Sequence, residues 1–166
     1  MKTIQTICNR SGTPNFRSKK LAGGALIEFA LIITLLITIL AGIVEFGRTF
    51  WYYNALTKVT RDAARLLSVA PKATIASNGV QSARDLVVAS ALNAGVPGFS
   101  SANVTAVCTD ATFIDTPCVD GTAPEGVHVA ITGYTVSIGQ YIPFLLGTTR
   151  QYSAGLAPHT TMRYML

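Results

Sequence analysis

From Leu21 to Val44 every residue is apolar except Glu28, Thr34 and Thr38. Wound as a helix, 24 such residues extend about 36 Å, against a hydrocarbon core of about 30 Å. Length and flanks argue against the buried helix of a soluble domain. Before the run stand Lys2, Arg10, Arg17, Lys19 and Lys20 with no acid among them; after it come Arg48, Trp51, Tyr52 and Tyr53. The cations before the run predict a cytoplasmic N-terminus, and the aromatic residues after it suit headgroup depth. A secretory signal peptide would need a shorter apolar core and a small-residue cleavage site. Here Glu45-Phe46-Gly47-Arg48 follows instead.

The same run explains the composition. Hydrophobic residues make up 49% of the chain and charged ones 13%, about half the usual charged share. A net charge of +5 resembles a nucleic-acid binder until it is placed along the chain. Residues 24–166 carry eight Lys or Arg against eight Asp or Glu, so the excess lies entirely in the tail. A basic groove on the folded body is therefore not supported, and no nucleic-acid partner is expected.

Helical pattern continues past the apolar run. Leu56, Val59, Ala63, Leu67 and Ala70 recur at three- and four-residue spacing, with Lys58, Arg61, Asp62 and Arg65 on the opposite face. Nothing from Gly24 to Val69 breaks the helix strongly, and Pro71 ends it. A second helix is predicted over Val80–Ala94, after an Asn78-Gly79 turn. The rest reads as β-structure: Asn103–Cys108, Val127–Ile138, Gln151–Leu156 and Thr160–Met165. The predicted fold is α+β, a long N-terminal helix, half transmembrane, followed by a small domain with an antiparallel sheet. Its divisions are a basic leader at 1–23, a span at 24–46, an amphipathic continuation at 47–70 and an exported domain at 71–166.

Cysteine usage agrees with export. Cys8 lies in the leader, and its removal leaves the pair Cys108 and Cys118, which suits a disulfide in an oxidising compartment. Two free thiols are the alternative. His128 and His159 have no nucleophile motif around them and read as surface or structural. Asp110, Asp115 and Asp120 lie in and around the cysteine loop, but their spacing matches no EF-hand. Phosphate-loop and dinucleotide fingerprints are absent from the sequence. No enzyme activity, cofactor or metal is expected.

Glu28 is the most informative residue, because a carboxylate in a spanning helix costs about 2.5–3.5 kcal/mol at the centre and usually has a partner. Gly23-Gly24-Ala25-Leu26-Ile27-Glu28-Phe29, just after Lys19-Lys20, resembles the processing site of type IV prepilins. That resemblance implies cleavage by a prepilin peptidase after Gly23, a mature chain beginning at Gly24, and Glu28 as its fifth residue. In assembly Glu28 would pair with the freed amino group of a neighbour, with Phe29 beside it.

A longer ordered set is similar to the TadE-like family, minor pseudopilins of the tight-adherence (Flp, type IVb) pilus. It comprises Glu28-Phe29-Ala30-Leu31, Gly42-Ile43-Val44-Glu45-Phe46-Gly47-Arg48, Trp51-Tyr52, Ala55-Leu56 and Arg61-x-Ala63-Ala64-Arg65, with Thr161-Met162-Arg163-Tyr164 near the end. Thr34 stands where the family commonly has proline, and Ala63 where it often has glycine. The resemblance implies a pilin-like architecture and a minor pseudopilin or assembly subunit, with other pilins, the assembly platform and the lipid bilayer as partners. It also implies an inner-membrane location with the C-terminal domain outside the cytoplasm. The alternatives are a stand-alone membrane-anchored binding or sensor domain, and a type II secretion pseudopilin.

Overall fold

A computed structural model describes residues 22–139 and 152–165. Leader residues 1–21, Cys8 among them, and Gln151 of the last-but-one predicted strand lie outside the described residues. Helix α1 spans Ala22–Ser68, 47 residues, with no proline to remove an amide or clash with a preceding carbonyl. Its end is built from local chemistry: Ser68 Oγ donates to Arg65 O at 2.9 Å, and Ala70 N to Leu67 O at 3.2 Å. Pro71 then bars continuation.

Two compact units divide the chain, one ending at Ile37 and the other running from Thr38 onward. In the first, the described residues are helical, and Leu26, Ile27, Phe29, Leu31 and Ile32 are exposed. Thr34 Oγ1 donates to Ala30 O at 2.7 Å, which satisfies the hydroxyl within the helix.

The second unit has its own core. Leu56, Val59, Ala63 and Leu67 of α1 are buried, while Lys58, Arg61, Asp62 and Arg65 stay exposed. Amphipathic spacing thus orients this part of the helix. After Pro71 come a 3-10 turn, Lys72–Thr74, and a π-helical turn, Ile75–Gly79, leading directly into α2, Val80–Asn93. The Asn78-Gly79 pair therefore does not break the chain as the sequence predicts. Gly79 is helical, with φ −60°, and its missing side chain lets Leu67 and Ala70 approach: a Cβ there would lie 3.3 and 3.1 Å from their side chains. Helix α2 ends at Asn93, and Gly95, with φ +72°, turns the chain away just beyond it.

Strands β1 (Val104–Thr109), β2 (Asp115–Thr116), β3 (Gly126–Ile131) and β6 (His159–Arg163) form an antiparallel sheet in the order β2-β1-β3-β6. Strands β4 (Thr135–Ile138) and β5 (Tyr152–Gly155) pair separately, with Ile138 opposite Tyr152. The single strand predicted over Val127–Ile138 is thus two strands in two sheets. Gly133, at φ +67°, makes the break, and the flanking chain finds other partners: Thr132 N donates to Asn103 O at 2.9 Å and Tyr134 Oη to Pro97 O at 2.8 Å. Period-two alternation survives a turn of this kind, so the sequence pattern runs through it.

Val104, Ala106 and Cys108 of β1 and Val127, Val129 and Ile131 of β3 face one core with Ala83, Val87 and Ala91 of α2 and the buried stripe of α1. Each Val, Leu or Ile fully buried contributes about 1.5–3 kcal/mol. Gly126 permits close strand approach, since a Cβ there would meet Thr109 Oγ1 at 2.6 Å and Met162 O at 2.9 Å.

Candidate functional site

Gly23 and Gly24 lie in the first turn of α1, and a Cβ built at either would touch nothing within 4 Å. No packing explains two adjacent glycines here. Each disfavours helix by about 1 kcal/mol relative to alanine, so the first turn is the part of α1 easiest to unwind. One turn on, Glu28 is exposed and Phe29 is 60% exposed. Among the described residues Glu28 forms no ion pair or hydrogen bond. A carboxylate on an uncovered apolar helix is suited to accept a cation brought by another molecule.

A second carboxylate behaves oppositely. Glu45 is 3% exposed, and its Oε2 accepts from Arg48 Nη2 at 2.8 Å. Arg48 Nη2 also donates to Ser137 O of β4 at 3.1 Å, and its guanidinium lies 5.9 Å from the centre of the Tyr52 ring. Thr49 Oγ1 caps the Glu45 carbonyl at 3.0 Å. This pair ties the β4–β5 hairpin to α1 just past the apolar run. Sequence reasoning missed its burial; the only signal was the i, i+3 spacing.

The distal cysteines are joined, Cys108 to Cys118, with Cα atoms 4.9 Å apart. The three aspartates around their loop go separate ways. Asp110 Oδ1 accepts from Thr112 Oγ1 at 2.7 Å and Thr112 N at 2.8 Å, and from Ile114 N at 2.9 Å. The Thr112 hydroxyl, then the Ile114 amide, hold its carboxyl below the usual range. Asp115 instead bonds His128 Nδ1 at 2.8 Å. Asp120 Oδ1 accepts from Ala76 N at 2.6 Å and Ser77 N at 3.2 Å, at the start of the π-helical turn. Desolvation pushes the Asp120 carboxyl upward, but hydrogen bonds from the Ser77 side chain and the Ala76 and Ser77 amides outweigh it, and the net direction is down. Among the described residues no three ligating side chains gather as a metal site. His128 and His159 stack edge to face at 5.8 Å on the sheet's outer surface.

A long N-terminal helix, apolar enough to cross a membrane, followed by a small antiparallel-sheet domain, defines an α+β protein. Residues 23–65 match the family model described as TadE-like protein. This segment contains Gly23, Gly24, Glu28, Phe29, Glu45 and Arg48. No curated protein and no solved structure matches the chain.

Proposed function

We propose that this protein is a non-enzymatic minor pseudopilin or assembly subunit of a tight-adherence (Flp, type IVb) pilus, cleaved by a prepilin peptidase between Gly23 and Gly24. The observation that carries the reading is the uncovered helix with one exposed carboxylate, Glu28, inside the TadE-like segment. A carboxylate in lipid is unfavourable unless a cation meets it. The amino group freed at Gly24 of a neighbouring subunit supplies that cation, and the bare apolar surface around it supplies a packing face. The basic leader sits in the cytoplasm, the sheet domain outside it, and the function is pilus biogenesis and surface adherence.

The test is N-terminal sequencing and intact mass of protein extracted from membranes with and without a prepilin peptidase, joined to site-specific crosslinking and an adherence assay. The mature chain begins at Gly24 only when the peptidase is present, and Gly23→Val blocks the cut. Glu28→Leu leaves insertion intact and abolishes both crosslinking to other pilins and adherence. Mature protein starting at Met1, or full function from Glu28→Leu, would favour the stand-alone anchor and overturn the assembly role.

A further inference from the structure

We infer that His128 and His159 together bind a divalent transition-metal ion of the zinc and copper class on the open face of the four-stranded sheet, with Asp115 orienting His128. The site involves none of the residues of the proposed assembly role.

Strand pairing builds it. Val127, Val129 and Ile131 of β3 turn into the core, so His128 and Ala130 face the other way. Pairing sets Thr161 opposite His128 and His159 opposite Ala130, which makes the two imidazoles diagonal neighbours on that outer face. Asp115 of β2 approaches His128 from across β1, whose Val107 stands opposite His128. Carboxylate, imidazole and imidazole thus follow one another across the sheet, although the two histidines stand far apart in sequence.

The hydrogen bonds favour a metal. Both Asp115 carboxylate oxygens accept from His128 Nδ1, at 2.8 and 3.0 Å. An ionised carboxylate only accepts, so Nδ1 carries the hydrogen and the neutral ring keeps its lone pair on Nε2. At metal-binding histidines a carboxylate placed in this way fixes the tautomer and raises the basicity of the ligating nitrogen. His128 Nε2 is buried and meets no hydrogen-bond partner among the described residues. Native folds seldom leave a buried polar atom so, and a cation beside the lone pair satisfies it.

Distance agrees. Metal–nitrogen bonds of about 2.0–2.1 Å put an ion roughly 3.2 Å from each ring centre, and rings sharing it at about 110–120° then stand about 5.2–5.5 Å apart. The two ring centres are 5.8 Å apart, edge to face. His159 is exposed, so a small turn of its side chain closes the difference. Imidazole donors select zinc or copper, whereas calcium and magnesium require oxygen. Arg163, exposed on the same face opposite Gly126, opposes a cation, and the Asp115 carboxylate offsets it. Among the described residues no three ligating side chains gather, so water fills the remaining positions and the site is open rather than structural.

The experiment titrates zinc into full-length protein in detergent, with Cys8→Ser to remove the leader thiol and with no histidine tag. Competition with a zinc-chelating dye reads affinity, and NMR follows the ring nitrogens of the two histidines. Expected are one zinc per chain and shifts of both rings, the His128 shift centred on Nε2. His128→Gln and His159→Gln should each abolish binding, and Asp115→Asn should weaken it by about 10–100-fold. If a variant fails to fold, the ring signals of the Cys8→Ser protein decide the matter. A shift at one ring only, equal affinity in both histidine variants, or no saturable binding would overturn the metal site and leave edge-to-face stacking alone.

Discussion

Gly79→Ala sets two effects against each other at the joint where α2 begins. Alanine gains up to about 1 kcal/mol of helix propensity. The new methyl, however, would sit 3.1 Å from Ala70 Cβ and 3.3 Å from Leu67 Cδ1, inside the ordinary 3.5–4.0 Å carbon contact. Neither neighbour can yield easily: Ala70 has no side-chain torsion to turn and precedes Pro71, and Leu67 is fully buried in the core. Overpacking of this kind costs about 1–3 kcal/mol, so with the full propensity gain offset the net expectation is a loss of about 0–2 kcal/mol. Leu67→Ala alone should cost about 2–5 kcal/mol through the cavity it leaves. Combined, the two changes should be less damaging than their sum by at least about 0.5 kcal/mol, because one contact is relieved and the methyl enters the cavity. Urea unfolding of the full chain in detergent, followed by Trp51 fluorescence, measures all three variants. A stabilising Gly79→Ala, or strict additivity with Leu67→Ala, would refute the close-packing account.

Two further predictions concern the cysteine loop. Asp110 and Asp120 have folded pKa values held below the ordinary carboxylate value, so their contribution is fully present above the unfolded value of about 3.9 and is lost as pH falls through the lower folded values. Unfolding midpoints should fall below about pH 4, and Asp120→Asn should flatten that fall; an unchanged acid limb would count against the Asp120 cap. Reducing the Cys108–Cys118 bond should cost on the order of 2–3 kcal/mol, read as a lower urea midpoint with dithiothreitol. The loop should remain partly docked, because Gly121 N still donates to Lys72 O at 2.8 Å; equal midpoints with and without reductant would refute the stabilising role.

The sequence alone determined the long helix and the faces of its second half. A 24-residue apolar run has few alternatives to a span, and three- and four-residue spacing marks Leu56, Val59, Ala63 and Leu67 as the side that must be covered. The TadE-like resemblance was equally legible, since it is carried by local strings of residues within 23–65. Strand character was legible too, because Val, Ile and Thr at alternate positions carry it. Tertiary structure decided where that character stops: only the paths of Thr132 and Tyr134 to their partners show that Val127–Ile138 must break at Gly133. It also decided what each charge does. Glu28 and Glu45 are both glutamates near an apolar run, yet one stands exposed and the other is buried against Arg48. Asp110, Asp115 and Asp120 are evenly spaced, yet they bind three different parts of the chain. Burial and hydrogen-bond partners come from residues distant in sequence, so local pattern could name these side chains but not say what each one meets.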